Sequence, residues 1–215
     1  MKRGAFIAFE GLDGSGKTTQ CRAICSKLNR MGFACKAEKE PTDQNPIGKL
    51  ARDVIERRVN VAPHTLAMLM AADRYEHVLN DIKPRIEQGE HVLVDRFVFS
   101  SFAYQGLDCT FEEIYALNKR VLDLLMPDLT IFIDTPPEAC LKRIHRSRGE
   151  MELFDAKGTA VRANFIEAFE RVERANVLIV DGSQPVSEIT REIWEAILPL
   201  CNSGGSNVGS KKYST

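Results

Sequence analysis

The sequence predicts an α/β fold, a five-stranded parallel sheet flanked by helices. Short β-type apolar runs alternate with longer stretches of helical period, as in chains built from strand–helix–strand units. Most of the runs are apolar throughout, which suits strands covered on both faces rather than strands with one wet side. Each strong run ends close to an acidic residue, at the carboxyl edge where parallel sheets place their ligands. Function is therefore expected at or near Glu10, Asp95, Asp134 and Asp181.

In chain order, residues 5–9 form the first strand, and residues 18–30 a helix closed by Gly32. A weaker strand follows at 33–38, then a helix at 46–57. A long helical stretch opens at Pro63, a favoured first position, and must kink or end near Pro84, before Gly89. Residues 91–95 are the next strand. Thr110 with Glu113 three residues on reads as a capping box, opening a helix at 110–125 that stops before Pro127. Strands at 129–134 and 177–180 bracket helices at 136–145 and 160–174, and a last helix covers 186–198. Residues 202–215, rich in Ser and Gly, read as a disordered tail, and residues 1–200 as one domain.

Composition excludes several classes. With 44% hydrophobic and 27% charged residues over 215 positions, the chain can bury a core and stay in solution. Its 29 Lys+Arg balance 30 Asp+Glu, so there is no bulk pull toward nucleic acid or anionic membrane, and an anion must be caught locally. The apolar run at 5–9 is too short for a signal peptide or a membrane span, which points to the cytoplasm. The six cysteines form no C-x-x-C pair and lie among apolar or helical neighbours, consistent with buried reduced thiols.

The most specific signal is Gly11-Leu12-Asp13-Gly14-Ser15-Gly16-Lys17-Thr18, a full match to G-x-x-x-x-G-K-[ST] between a predicted strand and a predicted helix. Glycines at 11, 14 and 16 let successive N–H groups face one point, and the helix adds its positive end. Lys17 would reach the outer phosphates of a nucleotide, and the Thr18 hydroxyl would ligate Mg²⁺. A guanine-reading N-K-x-D is missing, since Asn118-Lys119 continues as Arg120-Val121. The strand at 91–95 ends in Asp95-Arg96 rather than an acidic pair. Asp95 can still serve the Mg²⁺ shell, directly or through water, while Arg96 points to a second anion beside the first. Arg143, Arg146 and Arg148 before Gly149 suit a flap over the donor phosphates, at about 146–156, that excludes water on closing. A solvated basic helix end is the competing reading of that segment.

Residues 9–20, from Phe9 to Gln20, resemble the opening of the thymidylate kinases, a family of phosphate-loop nucleoside monophosphate kinases. Glu40-Pro41, Ala71-Ala72-Asp73-Arg74, Asp95-Arg96-Phe97, residues 100–106, Pro127-Asp128 and Arg146-Ser147-Arg148-Gly149-Glu150 extend the likeness at appropriate spacing. The resemblance implies the three-layer kinase fold with a short flap. It also implies transfer of the ATP γ-phosphoryl group to dTMP with Mg²⁺, a homodimer, and no nucleic-acid or membrane partner. By position, Gly11 to Thr19 hold ATP: Gly11, Leu12, Asp13, Gly14, Ser15, Gly16, Lys17, Thr18 and Thr19. Arg96 meets the acceptor phosphate with Arg52 beside it, Arg74 the thymine, Tyr104 the ribose 2′ position, and Asp13 the sugar. Ser101 and Gln105 complete the base pocket. With Ser15 where some members carry arginine, Arg146 and Arg148 supply the charge for transfer, as in the bacterial type.

Two positions depart from the family pattern. Met70 stands where a phenylalanine commonly stacks on thymine, which leaves selectivity at the base open. Lys39 stands where many bacterial members have arginine, a point charge in place of a planar fork. A related kinase for another nucleotide or a deoxynucleoside, and a non-catalytic nucleotide switch, remain alternatives. A second phosphate site speaks against the switch.

Overall fold

A computed structural model describes residues 2–147 and 153–204. Five strands form one all-parallel sheet in the order β2-β3-β1-β4-β5: β1 (Phe6–Glu10), β2 (Cys35–Lys39), β3 (His91–Asp95), β4 (Leu129–Asp134) and β5 (Val177–Asp181). The expected strands are all present, most shifted by a residue or two at their ends. Alternate residues of the central strands point to opposite faces. Phe6, Ala8, Val92, Val94 and Phe132 enter one core; Ala5, Ile7, Phe9, Leu93, Ile131 and Ile133 enter the other. Burial on both sides is why these runs carry no polar alternation. The edge strands β2 and β5 are only partly buried, and of the two only β2 reads weakly in the sequence.

Helices α1 (Lys17–Arg30) and α9 (Val186–Ser203) cover the second core. The first lies under α2 (Pro46–Ile55), α3 (Pro63–His77), α4 (Lys83–Glu87), α5 (Val98–Tyr104), α6 (Phe111–Leu124), α7 (Pro137–Ser147) and α8 (Gly158–Arg171). The break expected near Pro84 is made without ending the helical stretch: a π turn, Val78–Ile82, joins α3 to α4. Pro84 has no N–H to donate and its ring crowds the carbonyl four residues back, and the wider turn relieves both. Thr110 and Glu113 form the expected capping box on α6. The last helix passes through Pro199 to Ser203, because Leu200 and Cys201 are buried on the sheet, and stops at left-handed Gly204. The predicted tail thus loses residues 202 and 203 to α9, and residues 205–215 lie outside the described residues.

Helix α5 and the short turn Gln105–Leu107 behind it were not predicted. Every residue of α5 is buried, so it has no polar stripe and no amphipathic period to detect. All six cysteines are free and buried, as expected. Among the described residues no helix is long and apolar enough to cross a membrane.

Candidate active site

The carboxyl edge of the sheet gathers the candidate residues. Register places Phe9 beside Asp95, and Asp95 beside Lys39. The loop after β1 curls with Gly11, Gly14 and Gly16 all at positive φ. Gly14 admits no side chain, since a Cβ there would come within 2.6 Å of the Cys140 carbonyl oxygen. Lys17, the first residue of α1, is buried, and its amine donates to the Leu12 carbonyl at 2.7 Å. Burial and the nearby Arg96 lower its pKa from the ordinary lysine value. A cation at a helix N-terminus also opposes the macrodipole, so this placement costs stability and is explained by an anion that Lys17 meets.

A cleft of about 610 Å³ opens over this loop, within the range of nucleotide sites. Its far wall is Arg143, Ile144, Gly182 and Gln184. Arg143 bolts the two sides together, donating to the carbonyls of Gly14 at 3.3 Å, Ser15 at 3.4 Å and Gly182 at 3.2 Å.

The Thr18 hydroxyl donates to Asp95 Oδ2, while Asp95 Oδ1 is buried without a hydrogen-bond partner. A buried carboxylate oxygen lacking a donor is unfavourable unless a ligand completes it. Together with the Thr18 hydroxyl it is an all-oxygen donor set of the kind Mg²⁺ takes.

Arg96 follows β3 directly and holds a left-handed backbone, φ 73°. Its guanidinium pairs with Asp13, donates to Tyr104 Oη at 3.2 Å and Ser100 Oγ at 3.2 Å, and lies 4.7 Å from the Tyr104 ring centroid. Burial works against the Arg96 charge, but Asp13, Tyr104 and Asp95 outweigh it and hold the pKa well above the usual value. Burial likewise pushes the Tyr104 phenol up, so it stays neutral. A second cavity is lined by Asp13, Arg52, Met70, Arg96, Tyr104 and Gln105, with Pro41 and Phe154 at its wall. It combines two guanidinium groups with apolar surface. The Gln105 Oε1 is buried without a partner.

Two candidates sit behind this cavity rather than on its lining. Arg74 is fully buried and donates to Glu40 Oε2 at 2.8 Å, Ser101 Oγ at 2.9 Å, Asn118 Oδ1 at 2.6 Å and the Phe97 carbonyl at 3.0 Å. It ties α3, α5 and α6 to the end of β2, and Ser101 is spent on that tie. Glu40 also meets His77 Nδ1 at 3.1 Å. Burial opposes a charged His77, but the hydrogen bond and charge of Glu40, with Glu38 and Asp73 behind, raise its pKa above the ordinary 6.5. Because the folded value is the higher one, this stabilisation is complete below the unfolded pKa and fades as pH rises through the folded one. Denaturant titrations between about pH 6 and about pH 8 should show stability falling, and His77→Gln should flatten that fall.

Of the four strand-end carboxylates, Asp95 meets Thr18 and Glu10 lies behind the acceptor cavity, whereas Asp134 and Asp181 are paired elsewhere, although Gly182 and Gln184 beside Asp181 line the cleft. Glu10 is fully buried and accepts from Phe97 N at 3.0 Å, Ser100 N at 3.1 Å and Ser100 Oγ at 2.6 Å, anchoring the start of α5. Asp134 is bound at 2.6 Å by both Nε and Nη2 of Arg162, and Asp181 caps its own turn through Ser183. Arg146 is exposed near the end of α7. Arg148 and residues 149–152 of the expected flap lie outside the described residues. Sequence reasoning noted Asp73 only within a motif and gave it no role; it accepts from Thr42 N at 2.8 Å and Asn45 Nδ2 at 2.8 Å and so fixes the turn ahead of α2. The same reasoning gave no role to Asn118, a partner of Arg74, or to Phe154 at the cavity wall, for which no local motif exists.

The thymidylate kinase family model matches residues 9–193. The chain belongs to the thymidylate kinase family. Thymidylate kinases of Bacillus pumilus and Limosilactobacillus fermentum are 35% and 37% identical, each over 204 residues and 90% of this chain, and 95% and 94% of their own lengths. That of Clostridium novyi is 35% identical over 203 residues, covering 98% of its length. Within this family, the expected five-stranded parallel kinase fold is the one observed.

Proposed function

We propose that the protein transfers the γ-phosphoryl group of ATP to dTMP, giving dTDP and ADP. The observation that carries this reading is that the phosphate-loop cleft and the Arg96 cavity adjoin, both lined by Asp13. Two phosphate sites sharing one wall suit in-line transfer between two bound nucleotides. ATP lies in the cleft of Gly11, Leu12, Asp13, Gly14, Ser15, Gly16, Lys17, Thr18 and Thr19, with the Lys17 amine at the transferred group. Arg96 and Arg52 fix the acceptor phosphate, Tyr104 and Asp13 its sugar, and Met70 and Gln105 its base. Arg74 and Ser101 stiffen that end of the pocket from behind. Arg146 and Arg148 close over the donor. Thr18 and Asp95 would hold Mg²⁺, which neutralises phosphate charge when bound. No strong base is needed, because a phosphate monoester with a second pKa near ~6 is already ionised at neutral pH.

We further infer a cytoplasmic homodimer. Of the apolar stretch Leu66-Ala67-Met68-Leu69, Leu66 and Ala67 are spent on the core, and Met68 is exposed, with Leu50 of α2 also exposed. A coupled ADP-release assay over a panel of nucleoside monophosphates tests the reaction. Turnover with dTMP should far exceed that with UMP or CMP. Equal or better use of another acceptor would overturn the assignment.

A further inference from the structure

We propose that His64, Cys109 and Glu113 form a site for a borderline-soft divalent metal, Zn²⁺ above all, separate from the nucleotide cavities. One ligand atom from each lies within 4.8 Å of the others. His64 is the second residue of α3, Cys109 directly precedes the cap of α6, and Glu113 is three residues past that cap. The cap does the orienting. Glu113 Oε2 accepts from Thr110 N at 2.8 Å and Thr110 Oγ1 at 3.0 Å, leaving Oε1 facing His64 Nε2 at 3.4 Å. Cys109 is held by its own N–H, which donates to the Gln105 carbonyl at 2.9 Å.

Metal–ligand bonds of about 2.0–2.3 Å at tetrahedral angles put ligand atoms roughly 3.5 Å apart. The His64–Glu113 pair already has that spacing, and with all three ligand atoms within 4.8 Å of one another the sulfur needs at most roughly 1 Å of adjustment. The His64 side chain is 54% exposed, so it can turn toward an ion without disturbing the core while the cap holds Glu113. A nitrogen, a sulfur and a carboxylate oxygen suit Zn²⁺ or Co²⁺, whereas Mg²⁺ and Ca²⁺ take oxygens. The chemistry thus separates this site from the Thr18–Asp95 pair. Solvent supplies a fourth ligand. A bound ion would pin the start of α3 to the turn that carries Gln105, and these two stretches already line one cavity through Pro63, Leu66, Gln105 and Asp108.

The test is titration of the chelator-treated full chain with Co²⁺, then Zn²⁺. One Co²⁺ per chain should give a near-ultraviolet thiolate-to-cobalt charge-transfer band and the visible absorption of four-coordinate cobalt, both erased by Zn²⁺. Cys109→Ser should remove the charge-transfer band. His64→Ala, at an exposed position that leaves the fold intact, should weaken Zn²⁺ binding about tenfold or more in competition with a chromogenic chelator. Absence of the band in the unaltered chain, its survival in Cys109→Ser, or unchanged Zn²⁺ affinity in His64→Ala would each overturn the site.

Discussion

Arg96→Ala is expected to lower kcat/KM for dTMP by about 10³-fold while leaving ATP affinity nearly unchanged. Three features set the size of the effect. The guanidinium is part-buried beside Asp13, so its charge is screened less than it would be on an open surface. It is held by Asp13, Tyr104 and Ser100 before any ligand arrives, so little reorganisation accompanies binding. It lines the acceptor cavity but not the donor cleft. Arg96→Lys should recover only a small part, since a point charge cannot meet Asp13, Tyr104 and a phosphate together. Steady-state kinetics with a separate ATP-binding titration decide the matter. Lost ATP binding with an unaltered KM for dTMP would reverse the assignment of the two sites.

Lys17→Ala should reduce kcat by about 10³-fold or more, and it should do so without lowering thermal stability. The second half of that expectation distinguishes function from architecture. The amine has one hydrogen bond, to Leu12 O, inside a buried setting where Arg96 repels it. Its removal takes away an unfavourable charge at the positive end of α1. A melting temperature that holds or rises, alongside the lost turnover, is the expected pair of results. A marked fall in melting temperature would make Lys17 a structural residue instead.

How much of this was legible in the chain varies with the range of the signal. The phosphate loop is local: glycine spacing, Lys17 and Thr18 lie in eight residues between a strand and a helix, and the structure keeps them so. Asp95-Arg96 was legible because a buried strand ends there. Asp134 and Asp181 gave the same signal but were claimed by Arg162 and by a turn, and nothing local announces such partners. Helix α5 was invisible because burial on all sides erases the period that reveals a helix. Arg74 was found by its motif yet sits behind the pocket, since its partners Glu40, Ser101 and Asn118 come from three distant segments. Pairwise partnerships across the fold are what a single sequence hides.

The left-handed backbone at Arg96 has a consequence for how such a chain drifts under mutation. A side chain at φ 73° costs about 1–2 kcal/mol that glycine would not incur. Glycine would relieve that strain but would also remove the ion pair with Asp13 and the bonds to Tyr104 and Ser100. Any substitution here therefore changes backbone strain and the charge of the acceptor cavity together, so its effect on stability and its effect on turnover have to be read separately.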